Sequence, residues 1–203
     1  MTVRALVPIK ALDQAKSRLA GELPPRQRRW LVLGMLIHVL DTLKRADGID
    51  EIVLLGPADG PRVAGIRAMT DGGEGLNEDL TQAVARLDDT RLWLVLAADL
   101  PDLAPADIEA LLAATAAHGI AIAPDHRGDG TNALGFRPPA SIGFAFGAGS
   151  RARHVALAGP GHAIIERPGL AFDVDDRAGL CRLPAARRTA LIRAGAAHAK
   201  ASG

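Results

Sequence analysis

Three aspartates are the side chains of this sequence best suited to phosphate chemistry. Asp99 stands where the apolar run Arg91-Leu92-Trp93-Leu94-Val95-Leu96-Ala97-Ala98 stops. A carboxylate at the end of such a run is placed to hold a metal bridging nucleotide phosphates; capping the next turn is its alternative use. Asp173 and Asp175 lie two apart in Phe172-Asp173-Val174-Asp175, which reads as a strand end, and residues two apart on a strand share a face. Two parallel carboxylates raise each other's proton affinity unless a cation lies between them. Hard oxygen ligands suit Mg²⁺, which takes one or two carboxylates together with phosphate oxygens and water. Asp176 is expected to face the other way and to cap a helix beginning near Arg177.

Cations are gathered nearer the N-terminus. Lys10, Lys16 and Arg18 follow the first apolar stretch, separated by Ala11-Leu12-Asp13-Gln14-Ala15. Such a group can grip a triphosphate and offset charge on departing pyrophosphate, although taken alone the segment reads as a solvated loop. It lacks the G-x-x-x-x-G-K-[ST] pattern of a Walker loop. Two further segments are suited to anions. Gly128-Asp129-Gly130-Thr131-Asn132 brings backbone N–H groups and two small polar side chains together, and is equally readable as an ordinary turn. Phe146-Gly147-Ala148-Gly149-Ser150 leads into a helical segment whose N-terminus favours negative charge; Ser150 is also a good N-cap, and His154 lies one turn on over the same face.

These residues need elements to hold them. Val3 to Ile9 reads as a first strand, and Pro24-Pro25 opens a helical pattern reaching about Arg45. Glu51 to Leu55 gives a second strand, Arg62 to Met69 a weaker helical stretch, and a helix begins near Asn77 after a Gly-rich turn. The run from Arg91 is apolar enough to be buried on both faces of a parallel sheet. Pro105 starts another helix and Ile120 to Ala123 another strand; from Asp125 to Gly149 the pattern loosens into a loop and short-strand insertion. A helix from about Ser150, further short strands and a C-terminal helix from about Pro184 follow. Alternating strands and helices predict a three-layer α/β sandwich with a mostly parallel sheet, in one domain spanning residues 1–203. Open α/β sheets bind ligands beyond the carboxyl ends of their strands, where Lys10 and Asp99 fall.

Composition narrows the function. With 24 basic against 23 acidic residues, aromatics at 3% and no tyrosine, the chain offers neither a polyanion-binding surface nor platforms for stacking nucleic acid. Cys181 is the single cysteine, which excludes an intrachain disulfide and a multi-cysteine zinc site. The most apolar helical stretch, Trp30 to Leu40, is too short to span a bilayer of about 20 residues, so no membrane role and a cytoplasmic location are expected. The remaining histidines lack metal-ligand spacing, and H-E-x-x-H, G-x-S-x-G and G-x-G-x-x-G in its dinucleotide-binding setting do not occur.

Taken in order, these pieces resemble the 2-phospho-L-lactate guanylyltransferase family of coenzyme F420 biosynthesis, which includes phosphoenolpyruvate and 3-phosphoglycerate guanylyltransferases. The resemblance is carried by Pro8-Ile9-Lys10 with Ala15-Lys16-Ser17-Arg18-Leu19, Gly75-Leu76-Asn77, Ala98-Asp99-Leu100-Pro101, Gly130-Thr131-Asn132-Ala133-Leu134, Phe146-Gly147 with Ser150 and His154, and Asp173-Val174-Asp175. It implies a Rossmann-like nucleotidyltransferase fold, GTP as donor, Mg²⁺ as cofactor and a small phosphorylated carboxylic acid as acceptor, with phosphoenolpyruvate favoured. Asp99, Asp173 and Asp175 become metal ligands under it. Thr131, Gly147 and Ser150 become the acceptor cradle, Lys10, Lys16 and Arg18 fall to the triphosphate, and Asn77 to the nucleoside; Asn132 and His154 are further candidates. Ser141 to Phe146 matches no motif of the family. The resemblance also allows a homodimer and passage of the product to a deazaflavin-transferring enzyme.

An acceptor phosphate is already ionised at neutral pH, so attack on the α-phosphorus of GTP needs no protein base and no Ser, Cys or His nucleophile. The rival readings are a molybdopterin guanylyltransferase-like enzyme, a nucleotide-sugar glycosyltransferase and a GTP-binding regulatory module without turnover. The first of these usually carries a Gly-rich loop where this chain has Lys10 to Arg18; retention of all three carboxylates argues against the last.

Overall fold

In the computed structural model, which describes residues 2–12, 16–87, 91–138 and 142–201, seven strands form one twisted sheet. They are β1 (Val3–Pro8), β2 (Glu51–Gly56), β3 (Arg67–Thr70), β4 (Leu92–Leu96), β5 (Ile120–Pro124), β6 (Thr131–Phe136) and β7 (Ala163–Ile164), in the order β3-β2-β1-β4-β6-β5-β7. Only β6 runs against its neighbours, pairing antiparallel with β4 and β5. Helices α1 (Pro25–Arg45) and α3 (Pro105–His118) cover one face, and α2 (Leu76–Leu87) and α4 (Ser150–Ala158) the other. Short helices α5 (Pro168–Ala171) and α6 (Arg177–Arg182) precede α7 (Ala185–Ala201), which packs outside α1. The expected three-layer α/β sandwich is present.

Alternation along the strands divides the core. Ala5 and Val7 of β1 face α1 and α3 with Leu94 and Leu96, whereas Leu6 faces α2 with Val53, Trp93 and Val95. Both faces being covered explains the unbroken apolar run of β4 and the mostly apolar β1, whose one charged residue, Arg4, is buried in an ion pair with Glu51. A third cluster lies beyond α1, joining Leu19, Leu31, Met35, Val174, Leu180 and Leu191. It anchors the basic loop through Leu19 and the acidic segment through Val174, so burial of two apolar residues fixes two stretches of otherwise irregular chain.

Three expectations are corrected. Arg62 to Met69 does not form a helix: a turn at 64–65 breaks the three-residue spacing of Val63, Ile66 and Met69, and Arg67–Thr70 instead pairs in register with Val53–Gly56 as an edge strand. The stretch from Asp125 to Gly149 contains a strand, β6, that is buried along its whole length in the middle of the sheet. Gly135 makes this location possible, because a Cβ there would stand 2.0 Å from Thr115 Oγ1 of α3. Phe172 to Asp175 is not a strand end but irregular chain after α5.

Candidate active site

The carboxyl ends of β1 and β4 and the chain after α5 converge. Asp99 follows β4 by three residues, on a stretch fastened by Ala97 N–H donating to Asn132 O at 2.8 Å. Asp173 and Asp175 arrive from the far end of the sequence. Val174 between them is fully buried in the third core cluster, and its insertion turns the flanking carboxylates away from that core, toward Asp99. One oxygen from each of Asp99, Asp173 and Asp175 lies within 4.8 Å of the others. Sequence had paired the last two through strand periodicity; the pairing holds and its reason is different.

Lys16 joins the cluster from the basic loop, with its ammonium bonded to both Asp99 and Asp175. It adopts a left-handed backbone conformation, φ 56° and ψ 42°, the only such non-glycine among the described residues. A lysine in that region is strained by roughly 1–2 kcal/mol, and the strain persists only where surrounding contacts fix it. Burial works against the charged ammonium, but the two carboxylates outweigh it and hold Lys16 charged well above the ordinary lysine range. For Asp173 the balance is opposite: burial, then the charges of Asp99 and Asp175, push its carboxyl up to about 6. Asp175 is likewise penalised by burial, yet Lys16 and, more weakly, Arg18 hold it below the usual carboxylate range.

Three carboxylates with one bonded lysine leave a local excess of negative charge, and the donor set is hard oxygen throughout. That chemistry fits a divalent cation such as Mg²⁺. Lys10 is exposed just past the end of β1; Arg18 is exposed on a one-turn 3-10 helix over Ser17–Leu19, and its charge acts on Asp175. Asp13, Gln14 and Ala15 of the same loop, and Ser141, lie outside the described residues.

A second cluster adjoins the first through β6. Successive strand residues point to opposite faces. Asn132 reaches one way, its amide donating to Leu170 O at 2.9 Å, Ala171 O at 3.1 Å and Asp173 Oδ1 at 3.4 Å. It therefore positions the acidic segment. Thr131 reaches the other way, where its Oγ1 lies 2.9 Å from His154 Nδ1 on α4. Ser150 opens α4; the N-cap is Gly149 rather than Ser150 as sequence suggested, and the Ser150 hydroxyl is buried without a hydrogen-bond partner among the described residues. Gly147 is bonded to it through Ser150 N–H to Gly147 O at 3.0 Å, and has φ 114°, a conformation that favours glycine. Gly147 and Ser150 thus stand at the N-terminus of α4, and Thr131 reaches the same helix one turn on, at His154.

Asn77, the residue expected at the nucleoside, is hydrogen-bonded to the chain that precedes α4. Its side chain accepts from Phe146 N–H at 2.7 Å and donates to Phe146 O at 3.2 Å. Both ends of the amide are engaged in holding the 142–149 segment. Arg153 grips the same segment at Ala145 O and Ala148 O. Asp176 caps α6 by accepting from Gly179 N–H at 3.0 Å, as expected, and pairs with Arg127 at 2.6 Å. Sequence missed His126, whose Nδ1 lies 3.4 Å from Asp173 Oδ1, and Arg153. His126 comes from a segment read as irregular, where no periodicity signals which way a side chain points; Arg153 lies on the helix expected from about Ser150, but its grip on Ala145 O and Ala148 O depends on a loop that no helical spacing places.

Residues 3–168 match the family model described as guanylyl transferase CofC like. The chain belongs to this family. A phosphoenolpyruvate guanylyltransferase from Sphaerobacter thermophilus is 45% identical over 193 residues, covering 89% of this chain and 91% of the relative. A phosphoenolpyruvate guanylyltransferase from Chloroflexus aggregans is 38% identical over 198 residues, covering 91% and 98%. Among solved structures, a 4-diphosphocytidyl-2C-methyl-D-erythritol synthase superposes with a TM-score of 0.64 at 16% identity, covering 94% of this chain and 98% of that one. This likeness places the CofC-like chain in the nucleotidyltransferase fold. No helix among the described residues is long and apolar enough to cross a membrane.

Proposed function

We propose that this chain transfers GMP from GTP to phosphoenolpyruvate, releasing pyrophosphate, at the site where the acidic trio, Lys16 and the N-terminus of α4 meet. The observation that carries the reading is the convergence of Asp99, Asp173 and Asp175 within 4.8 Å, from distant parts of a CofC-like guanylyl transferase. Names of the relatives at 45% and 38% identity support phosphoenolpyruvate over 2-phospho-L-lactate or 3-phosphoglycerate.

Asp99, Asp173 and Asp175 would hold Mg²⁺, which supplies charge neutralisation at the phosphates when bound. Thr131, Gly147 and Ser150 receive the acceptor: the helix N-terminus favours its anionic groups, and the unpartnered Ser150 hydroxyl gains a partner. Lys10, Lys16 and Arg18 bind the triphosphate and stabilise the leaving pyrophosphate. An oxygen of the acceptor phosphate attacks the α-phosphorus of GTP, forming a new phosphoanhydride as the bond to the β-phosphate oxygen breaks. No proton has to be removed from that acceptor. His154 is buried and desolvated, and with Arg153 beside it its pKa falls to about 4, so it is neutral at working pH and has no general-acid role.

The product then passes in the cytoplasm to an enzyme that attaches it to a deazaflavin. The test is pyrophosphate release from GTP and Mg²⁺ with each acceptor supplied separately and that second enzyme present to drain product. Release with phosphoenolpyruvate is expected. Silence with all three acceptors, in protein that binds GTP, refutes the reading.

A further inference from the structure

His154 is completely buried, yet it is a polar ring on the inner face of α4. Its two nitrogens have different partners. The backbone N–H of Ala145 lies 3.1 Å from Nε2, and a backbone N–H can only donate. Nε2 must therefore present its lone pair, which places the ring proton on Nδ1. The partner of Nδ1 is Thr131 Oγ1 at 2.9 Å, so that bond runs from the imidazole to the hydroxyl. A threonine hydroxyl has one hydrogen and two lone pairs. With one lone pair occupied by His154, the hydrogen of Thr131 points elsewhere.

Packing holds the ring in this orientation. Phe146 stands edge-on to it, with centroids 4.8 Å apart. The segment carrying Ala145 and Phe146 is itself clamped by Asn77 and Arg153. Arg153 is the cation facing the imidazole, and it is engaged with Ala145 O and Ala148 O.

We propose that His154 is a positioning residue for the acceptor: protonated only at Nδ1, it occupies one lone pair of Thr131 and turns the threonine hydrogen toward the anion bound at the start of α4. This rests on the acceptor site proposed above. It gives the family's cradle a polarity: Thr131 is set to donate, which favours a carboxylate or phosphate oxygen and disfavours an acceptor presenting an N–H or O–H at that point. His154 itself touches neither substrate.

Two measurements test it. Two-bond ¹H–¹⁵N correlation spectra of the substrate-free protein at neutral pH should show His154 neutral, with a protonated Nδ1 and a bare Nε2. The opposite tautomer, or a charged ring, overturns the proposal, and this readout is independent of turnover. Kinetically, His154→Leu and Thr131→Val should each raise the acceptor KM about tenfold, as for loss of a hydrogen bond to a charged group, with KM for GTP little changed. The double variant should be no worse than Thr131→Val alone, because the two residues act through one bond. Independent effects, multiplying to about a hundredfold, would overturn it. Absence of guanylyl transfer with every acceptor would instead refute the functional reading while leaving the tautomer to be decided by the spectra.

Discussion

Asp173→Asn should make the metal-free protein more stable while abolishing its response to divalent cations. In the fold Asp173 is buried and faces two other carboxylates, Asp99 and Asp175; Asn132 and Lys16 only partly offset this. Its carboxyl is pushed from an ordinary 3.8 to about 6, so the folded state binds this proton more tightly than the unfolded state does. Folding is then opposed by ionisation of Asp173 at any pH above about 6, and the opposition fades as pH falls from 6 to 4. At about 1.4 kcal/mol per pKa unit the full effect is roughly 3 kcal/mol, and water reaching the site reduces it to about 1–3 kcal/mol. Asparagine keeps the shape and an oxygen for Asn132 but carries no charge. Its Tm at pH 8 should exceed that of the native chain by about 2–12 °C, on the scale of about 2–4 °C per kcal/mol for a chain of this size. The advantage should shrink steadily toward pH 4. Saturating Mg²⁺ or Mn²⁺ should reverse the order, since only the native trio gains from a bound cation. Thermal denaturation from pH 4 to 8, with and without metal, checks all of this. Equal melting of the two proteins across that range would refute the charge-repulsion account of the trio.

Lys16→Met removes the ammonium bonded to Asp99 and Asp175; it should destabilise the metal-free fold by about 1–3 kcal/mol in denaturant titrations and sharply lower turnover at saturating GTP. Asn77→Ala leaves Phe146 N–H and C=O without their side-chain partners, a loss of about 1–3 kcal/mol. Steady-state kinetics should then show a raised acceptor KM, whereas a rise confined to the KM for GTP would assign Asn77 to the nucleoside. Gly147→Ala forces a side chain into φ 114°, strained by about 1–3 kcal/mol, and should weaken acceptor binding in calorimetric titration while GTP binding is kept.

Much of this was legible in the sequence where burial is two-sided or punctuation is strong. β1, β4 and α1 were visible because apolar runs and the Pro24-Pro25 start leave few alternatives. Thr131-Phe136 was not recognised as a central strand because Asn132 and Gly135 interrupt its apolar run; their reasons, the contact with Asp173 and the close approach of Thr115, exist only in three dimensions. The acidic trio was legible as residue types in order. Its convergence depends on Val174 being drawn into a core built with α1 and α7, which no local pattern reveals. Asn77 was recognised as important, yet its structural task is to hold a loop 69 residues away.

Where β5 meets β6, Ala123 pairs with Ala133 but Pro124 pairs with Thr131, so Asn132 is an extra residue in the ladder. Such a bulge acts as a phase marker between two halves of the site. Thr131 serves the α4 side and Asn132 the aspartate side only while that one-residue offset is kept. The preceding Asp125–Gly130 connection is tied to the same site, because Asp129 accepts from Gly149 N–H at 2.9 Å and from Arg151 N–H at 3.0 Å at the start of α4. Loss of Ala133 would rotate both polar residues onto the wrong faces together. The loop that feeds the bulge and the bulge itself therefore form one length-sensitive unit, and redesign of acceptor preference is best made by substitution there and not by insertion.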